Sequence, residues 1–430
     1  MTVTAKRHRR VTEAAVVCLV VAMSLAACGG AGTYKAPKGA TPRTTPPPET
    51  LPPPTTVPPA APLAGGSTPV PVPALSTVSP PGSIASNCST DVSSALQAWF
   101  SSLPAGETVL VPSGACYLVD EGIKLKDPQG LTVYGGTFRN ESVTAGSGVR
   151  SKGKPVFTVV GGSSVTFEAM DISGANTGGY HARLAFAGGI ELDGTTGATI
   201  HGVTITGTFG DGITLAPLRG GANHNSGKII APASAITIRD VTVNGVGRQG
   251  ITFASVSGAQ LSDVVVVNPG LDTFDVEADQ ANEGASDVTI DGCSASGGTL
   301  FFANGGAGNG RNTKDITVEN CTMAKPEGGS AVLVERAGHG KTARGPFSFV
   351  ADDLWCGASV YVACVQLSGA VVTLSRDTLR FPAGTTHEAV YHLGTGSQVT
   401  FEDDVAHGYG RTGKVVAGSS VHVSGGSWHS

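Results

Sequence analysis

The sequence predicts an all-β solenoid, in which short strands wind into stacked coils. Two recurring phrases and one compositional bias point there. The first phrase appears as "LTVYGGTF" at Leu131, "VTFEAMDI" at Val165, "ATIHGVTI" at Ala198 and "ITIRDVTV" at Ile236. It continues as "QLSDVVVV" at Gln260, "VTIDGCSA" at Val288, "ITVENCTM" at Ile316 and a weaker "FSFVADDL" at Phe347. "VTLSRDTL" at Val372, "VTFEDDVA" at Val399 and "VHVSGGSW" at Val421 complete the series. A constant phrase at spacings of 22 to 38 residues describes coils joined by loops of variable length. The second phrase lies between copies of the first: "GIELDG" from Gly189, "GITLAP" from Gly212, "GITFAS" from Gly250, "FDVEAD" from Phe274, "AVLVER" from Ala331 and "CVQLSG" from Cys364. Each alternates with period two and is a short strand with one buried face. Only 14% of the chain is charged and 61 residues are Gly, a balance suited to strands and tight bends. Two or three strands per coil cannot bury an apolar face alone, so stacked neighbours form the core.

Taken from the N-terminus, the first element is a targeting segment. "KRHRR" at Lys6 to Arg10 precedes an apolar run from Ala14 to Leu25, which ends in "LAAC", Leu25 to Cys28. That ending resembles a bacterial lipobox, which implies cleavage before Cys28 and lipidation of its thiol. An ordinary signal peptide with an incidental cysteine is the alternative. Residues 1–27 are thus expected to be removed, leaving the protein lipid-anchored on the extracytoplasmic face of a bacterial membrane. No later apolar run is long enough for a membrane span. Residues 28–86 read as a linker, because 16 of the 26 prolines lie between Pro37 and Pro81. Polyproline geometry makes such a segment a semi-rigid spacer.

The folded domain is expected over 87–430. "TDVSSALQAWFSSL" opens it as a short helix, with Thr90 or Asp91 as N-cap and Ala95, Leu96, Trp99 and Phe100 as its apolar face. Helix and phrases together resemble the right-handed parallel β-helix proteins of the pectate-lyase-like superfamily, from about Cys88 to Ser430. The resemblance implies a right-handed parallel β-helix whose open end is covered by an N-terminal capping helix.

Six cysteines follow Cys18 and Cys28, an even number in an exported chain. Sequence neighbourhood pairs Cys88 with Cys116, Cys293 with Cys321 and Cys356 with Cys364. Cys293 lies five residues after Val288, and Cys321 five after Ile316, so the two stack in adjacent coils. Either a disulfide or a packed pair of thiols fits that placement.

Aligning the second phrase by its buried positions brings charged residues into rows. One outward column reads Glu191, Thr214, Thr252, Asp275; the next reads Asp193, Ala216, Ala254, Glu277. Asp211, Gln249 and Asp272 precede the strands, Arg248 sits beside them and Asp279 follows. Asp211, Arg248, Asp275 and Glu277 are the candidate catalytic residues. Glu191, Asp193, Gln249, Asp272 and Asp279 are candidates for substrate binding, as are Arg219, His224, Arg336 and His339 in long loops beside the strip. Lys228, Arg311, Lys314, Lys341 and Arg344 add to the basic character of those loops. The glycine before each strand serves either a positive φ or close coil stacking.

Basic loops over an acidic floor suggest a groove for a long polar polymer, a polysaccharide. Two chemistries fit it. Glycoside hydrolysis needs a proton-donating carboxyl and a second carboxylate, and the more buried of Asp211, Asp275 and Glu277 would be the acid. Elimination on a uronate needs a base, Arg248 or a lysine, and cationic charge or Ca²⁺. No compact acidic Ca²⁺ cluster is evident, and no cofactor is otherwise implied. The motifs of the best-known polygalacturonase-like hydrolases are only echoed, by "GDG" at Gly210 and "GRQG" at Gly247. A non-catalytic, adhesive or cell-wall-associated β-helix with a solvated charge strip is the alternative, Arg248 then being a structural ion-pair partner of Asp275 or Glu277. A net charge of −5 gives a nucleic-acid partner no electrostatic support.

Overall fold

The computed structural model describes residues 77–142, 153–220, 228–278, 280, 282–304, 313–324, 330–337, 341–342, 345–356, 363–382 and 389–429, all within one compact unit, Ala74–Ser430. Cys28, His224, Asp279, Arg311, His339 and Arg344 lie outside the described residues.

Each copy of the first phrase is two strands with a corner between them. The corner residues are Gly135, Ala169, Gly202, Asp240, Asp263, Gly292, Asn320, Ala351, Arg376, Asp403 and Gly425, and all have φ between 52° and 81°. Left-handed backbone explains why Gly, Asp and Asn recur at this position. Strands before the corner stack in parallel into a first sheet, with Phe167 beside Ile200 and Ile200 beside Ile238. Strands after it form a second, with Phe138, Ile172 and Ile205 in one row. The second phrase builds a third parallel sheet that runs from Ile123–Lys126 to Arg411–Val415. Each coil thus carries three strands. One register differs from the sequence reading: Ala259, not Gln260, begins its copy, pairing with Ile236 and Val288. A small buried alanine there fills a position held elsewhere by Val or Ile.

Inward side chains from the three sheets fill the solenoid. Phe138, Phe157 and Phe167 meet with ring centroids 4.8 and 5.1 Å apart, one ring from each sheet. Burying such a ring contributes about 1.5–3 kcal/mol. Gly189, Gly212 and Gly250, ahead of third-sheet strands, serve close stacking and not a positive φ, whereas Gly122 has φ 66°. A Cβ on Gly189 would lie 2.5 Å from the Gly212 carbonyl oxygen, and one on Gly212 would lie 2.6 Å from that of Gly250.

The capping helix spans Ser93–Ser102 and buries Ser93, Leu96 and Phe100. Ala95 is exposed and Trp99 only half-buried, so the apolar face is narrower than expected. The N-cap is Val92, buried in the core, while Asp91 accepts the Ser93 backbone N–H at 3.0 Å from one residue further out. Gln97 closes the free edge of the third sheet. Its amide donates to the Lys124 carbonyl (2.9 Å) and accepts the Lys124 N–H (2.7 Å), as a neighbouring strand would. Thr77–Val78, assigned to the linker by composition, pairs in parallel with Thr108–Val109; Ile84 is also buried.

All three expected disulfides are present: Cys88–Cys116, Cys293–Cys321 and Cys356–Cys364, with Cα separations of 5.1, 4.4 and 4.8 Å. The inward residue after the corner, Val241 and Val264 in central coils, becomes Cys293 and Cys321, then Asp352, Asp377 and Asp404. These three aspartates are buried and form a ladder. Asp352 accepts the Cys321 N–H, Asp377 that of Asp352, and Asp404 that of Asp377, each at 2.7 Å.

Candidate functional site

The third sheet sets the floor of the site. Ile190 pairs with Ile213, Ile213 with Ile251 and Ile251 with Phe274. Glu191, Thr214, Thr252 and Asp275 therefore form one outward column, and Asp193 lies beside Ala216 in the next. Residues dozens of positions apart come within one coil spacing of each other, about 4.8 Å.

Asp211 is the most fully held carboxylate. Thr252 and Thr214 donate their hydroxyls to Oδ2 at 2.9 and 3.2 Å, and the Gln249 backbone N–H donates to Oδ1 at 3.3 Å. The Arg248 Nε lies 3.6 Å from the same Oδ1, while Arg248 Nη2 donates to Glu277 Oε2 at 3.1 Å. Arg248 thus bridges two carboxylates from different coils. Burial works against its charge, but Asp211, Glu277 and Asp275 outweigh that and raise its pKa.

Glu191 and Asp193 point outward from the same strand and share a hydrogen bond. Burial, then the Asp193 charge and that hydrogen bond, with Asp211 adding to them, push the Glu191 carboxyl up to about 8. Lys124, two coils away in the same column, opposes the shift. At neutral pH Glu191 is a protonated acid beside ionisable neighbours. Paired carboxyls with opposed environments are what acid–base chemistry requires.

Glu191, Asp193, Asp211, Arg248 and Glu277 line one concavity, with Thr214, Thr252, Arg219 and Phe186. Asp275 is corrected from its expected place. It is 1% exposed and lies beneath this surface, without a hydrogen-bond partner for either oxygen. Burial and the Glu277 and Asp272 charges raise its pKa well above the usual carboxylate range. Gln249 is buried and contributes its backbone N–H, not its side chain. Asp272 is bonded to Thr299 below the rim, and burial pushes it up to about 7. Neither lines the concavity.

The basic loops also differ from expectation. Arg219 enters the site, but its guanidinium is paired with the buried carboxylate of Glu283. Lys314 lies on a first-sheet strand, 2.9 Å from Asp315, and does not overhang the third sheet. The backbone of Arg336 pairs with that of Thr342. Among the described residues, no group of three or more His, Cys, Asp or Glu side chains is placed to hold a metal ion. The described donors therefore do not form a site for the Ca²⁺ that elimination chemistry would use. Sequence reasoning missed Phe186 and Tyr180, since residues 175–188 belong to neither repeating phrase.

A family model described as "Right handed beta helix region" matches residues 226–338. The fold is a right-handed parallel β-helix. Solved structures of the same architecture include the tailspike protein of E. coli bacteriophage HK620 in complex with pentasaccharide (14% identity, TM-score 0.53, 79% of this chain). The chain spans 62% of that tailspike's length. The Streptococcus pneumoniae surface protein and adhesin PfbA is similar at 11% identity and TM-score 0.53, over 82% of this chain and 97% of that one. The Agl-KA catalytic domain is similar at 13% identity and TM-score 0.55, over 82% and 69% of the two chains. None of the curated proteins matches the chain.

Proposed function

We propose that the protein binds a polysaccharide along its third sheet and hydrolyses it at the carboxylate cluster. The observation that carries this reading is the pair Glu191 and Asp211 in one concavity, the first raised to about 8 and the second held by three hydrogen-bond donors and an arginine. Glu191 donates its proton to the glycosidic oxygen, and Asp211 either takes a proton from the attacking water or attacks the sugar carbon itself. Arg248 and Glu277 fix the far wall. Elimination is less well served, because Arg248 is engaged by two carboxylates and is a poor base. The structure of the tailspike with which this chain shares its fold is in complex with pentasaccharide, which supports the polymer class.

The reading includes a setting. The lipobox-like Leu25 to Cys28 and the proline-rich segment support a lipid-anchored domain held away from the membrane on a spacer.

Incubating the soluble domain with neutral and uronate-containing polysaccharides tests the chemistry. New reducing ends are expected, and Glu191→Gln should lower the rate by about 10²–10⁴-fold while binding persists. Binding without cleavage of any of them would leave a non-catalytic surface protein; unsaturated products would mean elimination.

A further inference from the structure

Residues 175–189 join a second-sheet strand, Asp171–Gly174, to the third-sheet strand Ile190–Asp193 and carry a small core of their own. Leu184 and Ala187 pack on Phe209, apart from the main core. His181 meets the Phe209 ring edge-on at 5.4 Å. Asn176 fastens the loop at its base, donating to the Gly179 and Thr208 carbonyls at 3.2 Å each and accepting the Gly178 N–H at 3.0 Å. A loop so tied can hold side chains in fixed positions.

It leaves its aromatic residues outside. Tyr180 is 36% exposed and Phe186 43%, although an apolar cluster lies beside them. Of the three large aromatic residues exposed among the described residues, these are two; Tyr134 is on the first sheet. Phe186 lines the carboxylate concavity. Tyr180 lies near the Arg248 guanidinium. Rigid exposed rings at the mouth of a polar cleft offer flat apolar surface to a ligand with polar edges and an apolar face.

We propose that Tyr180 and Phe186 form an aromatic subsite that stacks a pyranose ring of a neutral polysaccharide beside the carboxylates. The C–H face of the sugar lies on the ring, and its hydroxyls reach the acidic floor. The charge of the site selects the neutral class. Both arginines that line the concavity are already paired, Arg248 with Asp211 and Glu277 and Arg219 with Glu283. Beyond these ion pairs the charged types in the lining are the acidic pair Glu191 and Asp193, so a sugar carboxylate would find no unengaged arginine there. This subsite rests on the polysaccharide reading above.

Calorimetric titration of the domain in a Glu191→Gln background with cellohexaose, laminarihexaose, mannohexaose, chitohexaose and hexagalacturonate tests it. A neutral hexasaccharide should bind, and Phe186→Ala and Tyr180→Ala should each weaken it about tenfold. Phe186→Trp should keep the affinity, and thermal unfolding should be unchanged because neither ring belongs to the buried cluster. Equal affinity in the alanine variants would overturn the subsite alone. Binding of hexagalacturonate and no neutral chain would overturn the neutral class. Binding of none of the five by the parent would overturn the polysaccharide reading and the subsite with it.

Discussion

Glu191 illustrates how a residue's chemistry comes from its stacking. Its sequence context, "GIELDG", marks an outward position on a strand, and that much was legible. Its raised pKa depends on burial, on Asp193 two residues along and on Asp211 one coil away, none of which a local pattern weighs. The same limit misplaced Asp275, whose outward column position was read correctly but whose depth was not. Arg248 was legible as a group on the strip, and its ion pair with Glu277 was one of the two partners anticipated. If Glu191 is the proton donor, as proposed above, it sets the alkaline limit of turnover. Since the folded pKa is about 8, kcat/KM should fall as pH rises through that value. A pH–rate profile that stays level to pH 10 would remove Glu191 from the acid role.

At the scale of elements, the abundance of Gly announced tight bends, but the corner inside each copy of the first phrase, where left-handed backbone favours Gly, Asn and Asp, was not singled out. The inward position after it carries no such restriction, and the aspartate ladder was not anticipated. Burial raises Asp352 to about 8, Asp377 to about 7 and Asp404 to about 6, and neighbouring carboxylates add to each shift, whereas backbone N–H donors oppose it. Three anions in one dry column repel one another, and protonation relieves this. Folded values above the unfolded one mean that the stabilisation is complete below about pH 4 and is lost as pH rises through about 6 to 8. The C-terminal coils should therefore melt several degrees lower at pH 9 than at pH 5. Asp377→Asn keeps an acceptor for the Asp352 N–H without the charge, and should narrow that gap. Equal gaps in the two proteins, followed by circular dichroism, would show that the ladder is not its source.

For the whole molecule, the repeat made the architecture legible from end to end, since a phrase restated eleven times fixes the strand order with little ambiguity. What lay outside the repeat was less legible, including the aromatic loop 175–188 and the tie between Arg219 and Glu283. Cellular placement is a separate expectation carried by Cys28. Replacing it, Cys28→Ser, should shift the protein from the membrane fraction to the medium and abolish incorporation of labelled fatty acid; unchanged fractionation would count against the anchor.

The parallel pairing of coils has a consequence for how such a surface diversifies. Strands of the three sheets are hydrogen-bonded to those directly above and below them, and the stretch before the third sheet is 175–189 in one coil but 207–212 in the next. The walls of the concavity can therefore be exchanged one storey at a time over an unaltered floor, so that, on the proposed reading, descendants of this chain would change which sugar they grip while inheriting the same acid.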